Sequence, residues 1–294
     1  MIIFSKQYLL FIVFYGIILK TVAQQNLNNL SENNAQLTQI EENITSTFLE
    51  REVHITLICP KNNNKNLNVL VFNDGQDFLD LSFYQTISNL FSQNIIKPFL
   101  CVGIHANHNR LYEYGTASQA DYKNRGSKAK PHTDFIIHEL LPYLEKKYSV
   151  KNKGNVIAGL SLGGLSAMDI GWNNPERFSK IGVFSGSFWW RQKSGEDGYT
   201  DENDRIMHNI VRAGTYKKGM EFWFEAGTND EESDRNNNGI IDAIDDTLDL
   251  ITELEHKGYL KDKDMIYREV QGGKHNTNTW KMILPEFLIW AFGK

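Results

Sequence analysis

From Thr45 to Phe292 short apolar runs alternate with longer stretches whose apolar residues recur every three to four positions. TSTFLEREVHITLICP at 45–60 alternates apolar and polar residues, which predicts two antiparallel strands entering a sheet. NLNVLVFNDG, IIKPFLCVGIH, NVIAGLS, KIGVFSG, EFWFEAG and MIYREV are compact apolar runs ending in turn residues, the pattern of buried strands. LSFYQTISNLF, HTDFIIHELLPYLEKKY, LGGLSAMDIGW, DTLDLITELEHKG and ILPEFLIWAF carry helical spacing, with Phe135, Ile136, Leu140, Leu141 and Leu144 on one face of the second. Strands alternating with helices imply an α/β domain, a mostly parallel sheet covered on both faces. No repeat and no second core interrupt this series, so residues 44–294 are expected to form one domain.

The first 43 residues break the pattern. Lys6 precedes an apolar run from Tyr8 to Leu19 and then Thr21-Val22-Ala23, the layout of a secretory signal peptide over residues 1–23. The run is shorter than the roughly 18–20 residues that span a bilayer, though an uncleaved anchor is the competing assignment. No cysteine follows it, which argues against a lipoprotein anchor. Residues 24–43 are rich in Asn and Gln, poor in large apolar residues, and are expected to be a polar linker. A secreted or periplasmic protein with no stable span after cleavage is the expectation.

Composition changes the picture little. The chain has 294 residues, 41% hydrophobic, enough for a sizeable core. A net charge of −5 and 31 scattered Lys and Arg give no footprint for nucleic acid. Cys59 and Cys101 both lie in apolar runs, as two buried thiols or, if their strands are neighbours, as a disulfide.

The chemistry concentrates after the predicted strands. Gly159-Leu160-Ser161-Leu162-Gly163 fits G-x-S-x-G between a strand and a helix, the setting of a nucleophile held on a tight turn. A serine at its ordinary pKa needs a base, and the base an orienting acid. Asp230 follows EFWFEAG and His275 follows MIYREV, so Ser161, Asp230 and His275 occur in the expected order at one edge of a parallel sheet. Glu231 and Glu232 adjoin Asp230 and compete for its role. The backbone N–H groups of Leu162 and Gln76 are the expected oxyanion donors, against a plain turn fixed by Asp74 and Gly75. His105 and His108 are spaced H-x-x-H without an acidic ligand nearby in sequence, so they are expected to line a pocket rather than hold a metal. Trp189 and Trp190 suit either a cleft wall or the core.

DRNNNGIIDAID at 234–245 places oxygen-bearing groups at alternate positions around Gly239, as a calcium loop does. Asp234, Asn236, Asn238, the Ile240 carbonyl, Asp242 and Asp245 would be the ligands, weakly, because Asp stands where a bidentate Glu is usual. The alternative is a polar loop whose aspartates cap the following helix. No cofactor is expected for catalysis; structural calcium is the one candidate.

TSTFLEREVHITLICP, VFNDGQDF, RLYEYG, FIIHELLPYLEKKY, GLSLGGLSA, GTND and GGKHNTNTWKMILPEFLIWAF together resemble the putative esterase family of α/β-hydrolases. That group includes enterochelin esterases, S-formylglutathione hydrolases, feruloyl and acetylxylan esterases and mycolyltransferases. RLYEYG and the closing H-x4-W look most like the enterochelin-esterase branch. The resemblance implies an α/β-hydrolase fold with Ser161 as nucleophile, Asp230 as acid and His275 as base. Some members of that branch work with serine and histidine alone, and the 234–245 insert lies outside the family pattern. An exported serine esterase is the leading expectation, with a siderophore ester or an esterified carbohydrate as substrate. A non-catalytic glycan- or siderophore-binding module and an acyltransferase are the alternatives.

Overall fold

In the computed structural model, which describes residues 36–61 and 66–294, eight strands form one sheet in the order β1-β2-β4-β3-β5-β6-β7-β8. The strands are β1 (Leu37–Ser46), β2 (Arg51–Pro60), β3 (Asn68–Asn73), β4 (Phe99–Ile104), β5 (Asn155–Leu160), β6 (Phe178–Phe184), β7 (Glu221–Asn229) and β8 (Met265–Lys274). From β4 through β8 every pairing is parallel, while β2 runs antiparallel to β4. Residues of β3, β4 and β5 are almost all buried, as expected of parallel strands covered on both faces. The expected α/β architecture is therefore present.

The principal helices are α1 (Phe83–Ser92), α2 (Ala129–Phe135, continuing through a π turn at Ile136–Leu140 into Leu141–Tyr148), α3 (Leu162–Asn173), α4 (Ile206–Ala213), α5 (Asp242–His256) and α6 (Thr277–Phe292). The π turn in α2 has a local cause. Pro142 has no N–H to close an α turn onto His138, and the wider turn lies just before it. Helix α4 was not foreseen. Its polar residues surround a short buried stripe of Ile206, Met207 and Val211, and the polar segment around it hid the period.

Thr38–Lys294 is one compact unit. The signal peptide expected at 1–23, and most of the linker, fall outside the described residues. The end of that linker is corrected, because β1 starts at Leu37, well before residue 44. Ile40 and Ile44 pack on the core, and polar anchors add to them in holding this edge strand. Glu42 accepts from Lys147 and Tyr148 at 2.6 Å each and from the Tyr143 hydroxyl. Glu139 of α2 accepts from Ser46 Oγ at 2.6 Å and from the Thr47 amide at 2.8 Å. A composition rich in Asn and Gln looks like a linker until those partners are seen.

The cysteines are both free and buried. Register explains it: Cys101 stands opposite Ile58, so Cys59, one residue on, faces the other side of the sheet. Among the described residues no helix is long and apolar enough to cross a membrane.

Candidate active site

Ser161 sits between β5 and α3 with φ 54° and ψ −119°, a conformation non-glycine residues rarely adopt. Holding it costs on the order of 1–3 kcal/mol, which the surrounding backbone must supply. The Ser161 amide donates to the Phe184 carbonyl at 2.8 Å, and the Ser187 amide donates to the Ser161 carbonyl at 3.2 Å. Both flanking glycines are required by close approach. A Cβ at Gly159 would lie 2.4 Å from the Gly163 carbonyl oxygen, and one at Gly163 would lie 2.5 Å from Asp74 Oδ2.

His275 follows β8 and precedes α6, whose N-terminus is capped by the Asn276 side chain accepting from the Thr279 amide at 3.1 Å. Its Nε2 stands 2.8 Å from Ser161 Oγ. The Trp280 ring meets the imidazole edge-on at 5.2 Å and steadies it. On the far side Nδ1 is 3.8 Å from Asp230 Oδ2, close enough for charge attraction and too long for a hydrogen bond. The Asp230 side chain is fully buried, and neither oxygen has a hydrogen-bond partner among the described residues. Of the three adjacent acids, Asp230 is the one placed within ion-pair distance of His275 among the described residues.

The turn after β3, which carries the expected donor Gln76, is held by residues whose roles were not anticipated. Asp74 adopts a left-handed conformation at φ 67° and is buried. Arg110 grips its carboxylate with Nε at 2.7 Å and Nη2 at 2.8 Å, and its amide donates to the Tyr114 hydroxyl at 3.1 Å. The Gln76 side chain donates to Asp74 Oδ1 and accepts from the Ala106 amide, each at 2.9 Å. This fixes the turn that carries the Gln76 N–H. Leu162 opens α3, so its N–H has no acceptor inside the helix. RLYEYG thus supplies Arg110 and Tyr114 to this turn, while Glu113 accepts two bonds from Arg51.

A family profile described as Putative esterase matches residues 46–291. The chain belongs to the putative esterase family. It is 27% identical over 175 residues to the iron(III) enterobactin esterase of Escherichia coli K12, covering 58% of this chain and 38% of that protein. The crystal structure of the enterobactin esterase of Shigella flexneri superposes with a TM-score of 0.69 at 20% identity, over 86% of this chain and 58% of that one. A ferulic acid esterase superposes at 0.66 and 18% identity, over 88% of this chain and 98% of that one. These neighbours carry the α/β-hydrolase fold, as expected. Family and relatives together support a carboxylic-ester hydrolase.

Within this esterase a second buried acid was missed by sequence reasoning. Glu225 is fully buried in β7, and burial, then the neighbouring Asp230, push its carboxyl up to about 8. Ser185 Oγ donates to it at 3.3 Å and accepts from Trp280 Nε1 at 2.9 Å. The signal was present as a lone acid inside EFWFEAG. A cavity of 280 Å³ is lined by Tyr122, Arg125, Trp189, Arg191, Glu231 and Arg235 among others. Trp189 is thus a cavity wall under the Arg125 guanidinium at 4.8 Å, and Trp190 is core.

In the 234–245 loop Asn236 and Asn238 both donate to Asp245 Oδ2, at 2.8 and 3.1 Å. Asp234 accepts from the amides of Asn238 and Gly239 at 3.1 and 2.9 Å. Asn236 and Asn238 thus turn toward Asp245, while Asp234 is engaged with amides of the loop itself. Asp242 departs from the expected set: its carboxylate takes the Arg235 amide at 3.0 Å and the Arg235 guanidinium at 3.2 Å. Ile240 is exposed. His105 departs too, lying against His54 and Glu41 at the β1–β2 edge.

Proposed function

We propose that the protein is an exported serine esterase in which Ser161, His275 and Asp230 act as nucleophile, base and orienting acid. The observation that carries this is the 2.8 Å contact between His275 Nε2 and Ser161 Oγ on a strained strand-to-helix turn. Ser161 Oγ attacks the ester carbonyl as its proton passes to His275 Nε2. The Gln76 and Leu162 N–H groups receive the negative charge on the carbonyl oxygen. The tetrahedral adduct collapses, the C–O bond breaks, and the alcohol leaves with the proton from His275. Water then gives a proton to His275 and attacks the acyl-serine, releasing the acid and restoring Ser161. Buried Asp230 favours the imidazolium through charge, since no hydrogen bond joins them.

The cavity that Glu231 lines has aromatic walls, Tyr122 and Trp189, beside guanidinium groups of which Arg125 and Arg235 are already paired with aspartates, which suits an ester bearing an aromatic group. Siderophore esters and aromatic esters of carbohydrates have this character, and the names of the neighbouring structures point the same way. Screening catecholate siderophores, iron-loaded and iron-free, against feruloylated and acetylated sugars decides among them. Turnover of p-nitrophenyl acetate by the wild type, set beside Ser161→Ala, tests the reaction itself; equal rates defeat the assignment.

Calcium in the 234–245 loop is a separate structural proposal. Asp234, Asn236, Asn238 and Asp245 supply the oxygens, with Asp242 held by Arg235. A melting temperature that rises with millimolar calcium, and no longer rises in Asp245→Ala, supports it; no rise in the wild type ends it.

A further inference from the structure

At the β1–β2 edge, outside the candidate active site, two imidazoles and a carboxylate converge. Glu41 lies on β1, His54 on β2, and His105 directly follows β4. The three ligand atoms lie within 4.8 Å of one another. His54 Nε2 is 3.1 Å and His105 Nε2 4.0 Å from the same oxygen, Glu41 Oε2. We propose that Glu41, His54 and His105 form a binding site for a zinc-type divalent cation.

The sheet dictates the convergence. His54 and Thr56 are two residues apart and share one face of β2. Ile55 pairs with Ile104, and the His105 amide donates to the His54 carbonyl at 3.0 Å, which sets the second imidazole beside the first. Their rings meet edge to face with centroids 4.4 Å apart.

Hydrogen bonding then fixes which ring nitrogen faces the carboxylate. Asn43 Oδ1 can only accept, so the 2.8 Å contact with His54 Nδ1 places the ring proton there. The other nitrogen, Nε2, faces a carboxylate oxygen at 3.1 Å, an arrangement that needs positive charge between them, either a proton on Nε2 or a metal ion in its place. A divalent cation would displace that proton, and the Asn43 bond is the outer contact that ligating histidines ordinarily make. Thr56 Oγ1 donates its one proton to Glu41 Oε2 at 2.6 Å and accepts from His105 Nε2 at 2.7 Å, a ring proton that an incoming cation would displace.

Two imidazoles and one carboxylate are the donor set of an open tetrahedral zinc centre, with water completing the shell. Ligand atoms around zinc at 2.0–2.1 Å stand about 3.3 Å apart, so His105 needs only a small inward shift. Glu41 and His54 side chains are 44% and 45% exposed, which leaves the ion a path in. Bound there, the cation ties β1 and β2 to the end of β4, one residue before Ala106, whose amide holds Gln76.

The test uses the purified full chain stripped with EDTA. Zinc titration calorimetry is expected to give one ion per chain, and cobalt to give the visible bands of a tetrahedral site with nitrogen ligands. His54→Ala, His105→Ala and Glu41→Gln should each weaken zinc by about tenfold or more, and Asn43→Ala, which keeps all three ligands, by roughly tenfold. Excess calcium should leave zinc in place, separating this site from the oxygen-rich 234–245 loop. Melting in EDTA confirms that each variant folds; should a ligand variant fail, Asn43→Ala carries the comparison. No zinc binding by the wild type, or binding within twofold of wild type in the folded variants, overturns the proposal.

Discussion

Ser161 is held by backbone: a strained φ, two main-chain hydrogen bonds, and a helix pressed so close that Gly159 and Gly163 have no room for a methyl group. Asp230, at the other end of His275, has none of this. Its carboxylate is buried without a hydrogen-bond partner and stands 3.8 Å from the imidazole. The Ser161 end is therefore rigid and pre-set, while Asp230 can reach His275 only through field and burial. Covalent geometry fixes a position without help from the substrate; a buried charge depends on what surrounds it.

That difference predicts unequal losses. Ser161→Ala should lower kcat on p-nitrophenyl acetate by roughly 10³–10⁶ with little change in melting temperature. Asp230→Asn should cost clearly less than the ~10⁴ seen when a hydrogen-bonded acid is removed from such a site. A loss as large as that of Ser161→Ala would mean that the acid closes onto His275 during turnover.

Next comes the turn after β3 that carries Gln76, the proposed oxyanion donor. Arg110→Lys keeps the charge but loses the two-pronged grip on Asp74, so kcat should fall about 10- to 100-fold, KM staying within a few-fold. Steady-state kinetics of the folded variant checks this, and an unchanged kcat would show that the turn does not need its anchor.

Glu225 gives the smallest effect and a distinctive pH signature. Its carboxyl is raised from 4.5 to about 8, so the folded state keeps a proton that the unfolded chain releases. Stability from this group is full below about 4.5 and is lost as pH rises through about 8. Glu225→Gln removes that loss, so its melting temperature relative to wild type should climb across this window. A flat difference would mean that Glu225 ionises normally.

The parallel core was legible because buried strands read as apolar runs, NVIAGLS and EFWFEAG among them. Ser161, Asp230 and His275 could be chosen because chain order and a shared sheet edge constrain them together, and the structure brings all three to one place. β1 was illegible: Glu42 and Ser46 hold it through partners about a hundred residues away. Arg110 was quoted only as part of a motif, since nothing local shows that it will grip Asp74 across the sheet edge. Glu225 was hidden by assigning the whole of EFWFEAG to apolar core.

The central claim is that Ser161 is a nucleophile activated by His275. Treating the protein with a fluorophosphonate and mapping the adduct by peptide mass spectrometry tests it most directly. One phosphonyl group on Ser161, formed far more slowly in His275→Ala, is the predicted result; label on another residue, or equal labelling without His275, would contradict it.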